Sequence, residues 1–245
     1  MNITFLDSST LTRGDIDFGP LEAMGTFTPH EHTAPSEVTA RCRGVEVVLT
    51  NKVVLDARII ESLPDLKLIL VCATGVNVVD LEAARTRNIP VCNVAGYSTP
   101  SVAQHTAALL LALATRVHRL ATEHDEWPHS PIFTRLTHPV TELSGQACGI
   151  VGLGEIGSAF ATIAEALGMK VQILARKGSP NTNRPELPRL AAREFFATSD
   201  VISLHCPLTA GNEGMIDSET LAAMKPGALL LNVSRGPLVD ELALA

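Results

Sequence analysis

No run of apolar residues in this 245-residue chain reaches bilayer length: the longest, Ala107 to Ala114, falls far short of a spanning segment. The amino-terminal stretch MNITFLDSST lacks the charged, apolar and small-residue succession of a secretory signal. No membrane partner is therefore expected, and a cytoplasmic location is. The five cysteines, Cys42, Cys72, Cys92, Cys148 and Cys206, lie far apart, mostly in or beside apolar strand-like runs, and none forms a C-x-x-C pair. Neither a disulfide framework nor a zinc site is implied. His30-Glu31-His32 has no third ligand nearby and reads as loop, so no metal is expected. Lys and Arg nowhere cluster, and the formal net charge is −7, which argues against a nucleic-acid partner. Small anionic substrates stay open, because local charge decides their binding.

Apolar residues make up 46% of the chain, enough to bury substantial surface. They are distributed as short runs, NITFLD, GTFTP, VEVVLTN, LKLILVCA and IPVCNV, alternating with helical spacing in DARIIESLP and NVVDLEAARTRN. That alternation reads as βαβ units of a parallel sheet. At AGYSTPSVAQ, Pro100 and a Ser101/Gln104 capping box are expected to open a long apolar helix running to about Leu120. This marks a domain boundary, giving domains 1–99 and 100–245. A polar connection around EHDEWPHSPIFTRLTHP precedes a second alternation: ACGIVGLG, MKVQILAR, DVISLHCP and GALLLNVS. The fold class is α/β, two parallel-sheet layers joined at a hinge. Leu229 to Val233 reads as a buried strand, apolar on both faces as in a sheet interior, and Val239 to Ala245 as the start of a helix.

The strongest local pattern is CGIVGLGEIGSAFATIAEALGM. Gly152, Gly154 and Gly157 form G-x-G-x-x-G directly after a strand and at the start of an amphipathic helix that Gly168 can end. The first glycine allows a tight turn, the second lets backbone approach a pyrophosphate, and the third packs helix on strand. A carboxylate at the end of the next strand would read the ribose of NAD, whereas Arg suits the phosphate of NADP. Here stand Arg176 and Lys177, with no acid in ILARKGSP, so NADP is preferred and NAD possible. The alternative is a solvated basic turn. Two further strand ends fall on the same side: His205, Cys206 and Pro207, then Ser234 and Arg235. Arg235 has the donor fork to hold a carboxylate or polarise a carbonyl, or else makes a structural ion pair. His205, followed by Cys-Pro, reads as shaping a nicotinamide pocket rather than as an acid.

These stretches, with ATGVNVVDLEAARTRNIPVCNVAGYSTPSVAQHTAALLLALA, LHCPLT and MKPGALLLNVSRGPLVDE, resemble the D-isomer-specific 2-hydroxyacid dehydrogenases along almost the whole chain. YSTPSVAQHT and ILARKGSP are most similar to the hydroxypyruvate reductase and glycerate dehydrogenase branch. The resemblance implies two doubly wound domains, a flavodoxin-like substrate domain and a Rossmann dinucleotide-binding domain, with the active site in the cleft between them. It assigns the substrate carboxylate to the backbone of Thr74, Gly75 and Val76, and carboxylate plus reacting carbonyl to Arg235. Gly152, Gly154, Glu155, Ile156 and Gly157 would cradle the pyrophosphate, with Thr106, Arg176, Lys177, His205, Cys206, Pro207, Val233, Ser234 and Arg235 around the rest of the cofactor. The helix from Ser101 and the arm containing Trp127 would make a homodimer through 100–145. Val78 stands where Asn or His is common in the family, and Asn212 where Thr is.

In the family, the helix after Val239 leads to strands carrying a catalytic Glu and His and to a return segment. None of His30, His32, His105, His118, His124, His129, His138 or His205 occupies that position. The expectation is an incomplete chain of an enzyme that passes hydride between NAD(P)H and a small 2-oxo acid, hydroxypyruvate or glyoxylate. The alternatives are a dinucleotide-binding module without turnover and a corepressor-like relative.

Overall fold

The computed structural model describes residues 1–176 and 183–245, which divide into two compact units, Met1–Tyr97 and Ser98–Ala245. Lys177 lies outside the described residues.

The first unit carries β1 (Asn2–Phe5), α1 (Gly19–Glu22), β2 (Thr26–Pro29), α2 (Val38–Arg41), β3 (Val47–Thr50), α3 (Ala57–Glu61), β4 (Leu68–Val71), α4 (Leu81–Thr86) and β5 (Val91–Asn93). Its five strands are all parallel in the order β2-β1-β3-β4-β5. Side chains alternate across the sheet: Phe5, Val47 and Leu49 pack with Phe18 and Phe27, while Val48, Ile69 and Val71 pack with Leu55 and Ile60. Both faces are covered, which is why β3 is apolar without interruption until Thr50. Asp56 and Asp80 start α3 and α4 by accepting the N–H of Ile59 at 2.8 Å and of Ala83 at 2.9 Å. Each such cap contributes about 1 kcal/mol.

The second unit begins with α5 (Thr99–Thr115), followed by α6 (Val117–Thr122), β6 (Ala147–Val151), α7 (Glu155–Ala166), β7 (Lys170–Leu174), β8 (Arg189–Leu190), α8 (Ala192–Thr198), β9 (Val201–Leu204), α9 (Ser218–Ala223), β10 (Leu229–Asn232) and α10 (Glu241–Leu244). The parallel order is β10-β9-β6-β7-β8. Leu110 of α5 and Phe160 of α7 pack with Ile150 and Val171 in one buried cluster, and Phe195 and Ile216 pack with Ile202 and Leu204 in another. The sheet is thus doubly wound.

The structure differs from the sequence expectations in four respects. The long helix starts earlier, at Thr99 with Pro100 in its first turn, so Ser101 lies inside it and the Ser101/Gln104 box does not form. It also ends at Thr115, where Arg116 takes a left-handed φ of 55° and a separate α6 follows. At the other end, Gly236–Leu238 is a 3-10 turn and Val239 bridges to Ile216 in extended form, so helix begins only at Glu241. Asp240 caps it through the N–H groups of Leu242 and Ala243. Finally, β10 is not wholly buried: Leu231 is 3% exposed, Leu229 and Leu230 are half-buried, and Asn232 is exposed. Among the described residues β10 pairs only with β9, so one long side lacks a neighbour.

Packing is close where β6 meets α8. A Cβ on Gly149 would lie 2.4 Å from Ser199 Oγ and 2.6 Å from the Phe195 ring, and both neighbours are fully buried. Gly149→Ala is expected to cost about 1–3 kcal/mol, the usual cost of overpacking, measured by urea unfolding. Unchanged stability would show that strand and helix separate more freely than this.

Candidate dinucleotide site

In an open parallel sheet, ligands bind beyond the carboxyl ends of the strands where the chain reverses its direction of travel. In the second unit that point lies between β6, from which the chain moves outward to β7 and β8, and β9, to which it returns. A cavity of about 680 Å³ opens there, with Gly152, Gly154, Arg176, His205, Cys206 and Pro207 in its wall.

The glycines hold the cavity's floor. Gly152 has φ +96°, and a Cβ on it would sit 2.6 Å from the Cys206 nitrogen, so only glycine lets β6 turn this close to the exit of β9. A Cβ on Gly157 would lie 2.1 Å from the Gly152 carbonyl oxygen, so α7 rests directly on the turn. Gly154 differs: among the described residues a Cβ there would meet nothing within 4 Å. Among these residues the space above it is open, and α7 starts there without a side-chain cap. Its first-turn N–H groups, on Glu155, Ile156 and Gly157, have no intrahelical acceptor and face a region where the helix dipole favours an anion. A narrow turn, an open glycine and uncapped donors fit a pyrophosphate.

Arg176 follows β7 and lines the cavity, exposed to solvent. Two residues that the sequence reading did not name share this end. The carboxamide of Asn183 donates to the Leu153 carbonyl at 2.7 Å and to Ser158 Oγ at 2.8 Å, laying the returning chain across the glycine turn. Arg189 donates to the carbonyls of Asn183, Arg184 and Leu187 and so holds that return in shape. Neither carries a motif; their roles come from loop geometry.

His205 directs its ring inward. Nε2 lies 2.9 Å from Ser203 Oγ, the ring centroid is 5.4 Å from that of Phe160, and Nδ1 is buried without a partner among the described residues. Burial pushes its pKa down from the usual 6.5 to about 4. The imidazole is neutral at pH 7, braces the glycine turn from beneath and has no proton to give. Burial also raises the Cys206 thiol, which lies 3.7 Å from Asn212 Nδ2. Asn212 closes the loop after β9 by donating to the Pro207 carbonyl and accepting from the Thr209 N–H.

Beyond β10, Ser234 Oγ donates to the Cys206 carbonyl at 2.7 Å, and Asn232 Nδ2 donates to the Arg235 carbonyl at 2.8 Å. This turn holds Arg235, half-buried, with Nη1 donating to the Ser234 carbonyl. Val233 is half-buried beside it. Thr106 is not brought to the cavity: it is fully buried in α5, with its hydroxyl donated to the Val102 carbonyl.

In the first unit, Thr74, Gly75 and Val76 form the loop after β4. Asn93 Nδ2 donates to the Thr74 carbonyl at 2.7 Å, and Thr74 Oγ1 to the Val94 carbonyl at 3.2 Å, tying the loop to the end of β5. Val76 and Val78 pack on the core below.

A doubly wound sheet with a glycine turn and an open, uncapped helix start at its switch point defines a dinucleotide-binding α/β protein. The profile of the D-isomer specific 2-hydroxyacid dehydrogenase NAD-binding domain matches residues 107–245, and the chain belongs to that family. It is 38% identical over 246 residues to a hydroxypyruvate reductase of Blautia hydrogenotrophica, covering 98% of this chain and 76% of that one. It is likewise 38% identical to a glycerate dehydrogenase of Methylorubrum extorquens, covering 99% of this chain and 75% of the other. Among solved structures it is similar to the D-lactate dehydrogenase of Aquifex aeolicus complexed with NAD and lactic acid, with a TM-score of 0.85, 27% identity, and 99% and 72% of the two chains covered. No helix among the described residues is long and apolar enough to cross a membrane.

The His205 pKa makes stability depend on pH. Above the unfolded value, near 6.5, both states are neutral and nothing changes. Between there and about 4 the unfolded chain takes up a proton that the folded one refuses, so stability falls as the pH drops. The full loss is about 3 kcal/mol. Urea midpoints of the parent and of His205→Gln between pH 7 and pH 4 are expected to diverge, with the parent losing more; parallel curves would refute the assignment.

Proposed function

We propose that this protein reduces a small 2-oxo acid, hydroxypyruvate or glyoxylate, to the D-2-hydroxy acid with NADPH in preference to NADH. The observation that carries the reading is the glycine turn with Arg176 at the far end of its cavity and the Arg235 turn tied to β9. The names of the related hydroxypyruvate reductase and glycerate dehydrogenase support the substrate class.

The bound nicotinamide supplies or accepts the hydride. Gly152, Gly154 and the N–H groups of Glu155, Ile156 and Gly157 hold its pyrophosphate, and Cys206, Pro207 and Val233 line the course of the dinucleotide. Residues 1–99 serve as substrate domain, in which the N–H groups of Thr74, Gly75 and Val76 take the carboxylate. Arg235 binds carboxylate and carbonyl, where its fixed charge stabilises the oxygen as it gains electrons. We assign the protonating acid to none of these residues. Residues 100–145 make a homodimer: Phe133 is 95% exposed, Leu136 80% and Val140 62%, a cluster of apolar side chains that a second copy would cover.

Arg176 separates the cofactors. In cofactor fluorescence titrations NADPH is expected to bind more tightly than NADH, and Arg176→Ala to narrow the gap by about 1.5–3 kcal/mol, the size of a charge-assisted hydrogen bond. Equal affinities in the parent would end this assignment.

Arg235→Ala is expected to lower hydroxypyruvate turnover by about 10²- to 10³-fold, the cost of losing one preorganised donor to the developing oxyanion, while leaving cofactor binding intact. Steady-state assay beside cofactor titration decides it; unchanged turnover would remove Arg235 from the reacting carbonyl.

A further inference from the structure

The first unit has a switch point of its own. The chain runs from β1 outward to β2 and then back across to β3, so the crevice lies between the carboxyl ends of β1 and β3. The residues reaching that point are Asp7 after β1 and Asn51 and Lys52 after β3.

Asp7 is 3% exposed, yet no cation pairs with it among the described residues. Its carboxylate instead accepts two successive backbone N–H groups, from Asn51 at 2.9 Å and from Lys52 at 2.6 Å. Asn51, 8% exposed, donates its carboxamide to Thr10 Oγ1 at 2.9 Å, and Thr10 Oγ1 donates to the Asp7 carbonyl at 2.7 Å. From the other side, the fully buried Thr50 hydroxyl donates to the Val53 carbonyl. Asp7, Thr10, Thr50 and the Asn51 carboxamide nitrogen are thus all paired at the base of the turn, and a buried carboxylate fixes the backbone of a residue whose own ammonium is exposed and makes no hydrogen bond or ion pair within the described residues. Burying a carboxylate costs several kcal/mol unless it is well bonded, more than closing a surface turn requires. Strand β4 is the next neighbour: the Cys72 N–H donates to the Thr50 carbonyl at 2.8 Å, which places the turn of Lys52 one strand from Thr74, Gly75 and Val76.

We propose that Asp7 is a positioning residue that fixes the Asn51–Lys52 turn, and that Lys52 selects 2-oxo and 2-hydroxy acids carrying an oxygen on C3. The proposal rests on the assignment of the substrate carboxylate to Thr74, Gly75 and Val76. With the carboxylate on that loop, the rest of the acid extends along the carboxyl edge of the sheet, and an unpaired ammonium there offers a donor to a C3 hydroxyl. A C3 methyl would leave that donor unused, and an acid with no C3 would not reach it.

Three hydroxy acids differ at that carbon alone: D-glycerate has a C3 hydroxyl, D-lactate a C3 methyl, and glycolate no C3. Their dissociation constants for the full chain are read from amide shifts in nitrogen-15 correlation spectra. The parent is expected to bind D-glycerate about 10-fold or more tighter than D-lactate, in line with one charge-assisted hydrogen bond. Lys52→Met should bring the two within about 2-fold while leaving D-lactate and glycolate unchanged. Asp7→Asn, which can accept only one of the two N–H groups, should reduce the same ratio; a merely structural role would weaken all three acids together. Should Asp7→Asn not fold, Lys52→Met, at an exposed position, still decides. Shifts at Thr74, Gly75 and Val76 with a ratio indifferent to Lys52→Met overturn this proposal alone. If none of the three acids moves those amides, the carboxylate assignment falls and this proposal with it.

Discussion

The second unit depends on one close approach, that of Gly152 to the backbone of Cys206 and of Gly157 to the carbonyl of Gly152. These two contacts bring β6, α7 and β9 together at spacings that no Cβ allows. Because the turn is pressed against β9, the residues that follow β6, β7 and β9 open into one cavity rather than onto separate surfaces. Because α7 is pressed against the turn, its first N–H groups emerge where Gly154 leaves open space. The buried ring of His205 is part of the same constraint: it fills the volume under the turn, against Phe160, and must be neutral to do so.

Much of this was legible in the sequence because the physics is local there. The strands β3, β6 and β9 sit at the middle of doubly covered sheets and must be apolar on both faces, which short uninterrupted runs show directly. The glycine pattern was legible because each position forbids a side chain or leaves room for a ligand. The rest was not. A two-residue strand such as β8 has no periodicity to read, since its place is set by pairing with β7. Asn183 reaches the glycine turn across a sequence separation of 25 to 30 residues, with nothing in its neighbours to announce it. Ser101 and Gln104 match a capping box, but Pro100, which favours the first turn, draws the start of α5 back to Thr99. His205 was placed by its position after a strand, but strand alternation puts it on the side of Ser203, and that sends the ring inward.

The two units satisfy buried polar groups in opposite ways. Asp7 stays polar by spending its oxygens on backbone donors, which costs nothing in conformational freedom because the turn is already ordered by β3 and β4. His205 keeps one nitrogen on Ser203, while the other has no partner among the described residues, and burial favours the neutral form. The first arrangement fixes a backbone, the second fills a volume. In each case the polar group lies at the carboxyl end of a central strand, where side chains pass from core to ligand.

Glu155 shows what the site gives up. It occupies the first position of α7, where a carboxylate is favoured by the helix dipole and strengthens the helix by about 0.3–1 kcal/mol. The same field favours any anion placed at the helix start, so the side chain and such a ligand would compete for one attraction and repel each other. Thr99 Oγ1 donates to Glu155 Oε2 at 3.3 Å, drawing the carboxylate toward the start of α5. That tether lets one residue support the helix while the N–H groups of Ile156 and Gly157 remain open for an anion. An anion at this helix start would therefore meet a balance of charges rather than attraction alone, with Arg176 in the wall of the same cavity.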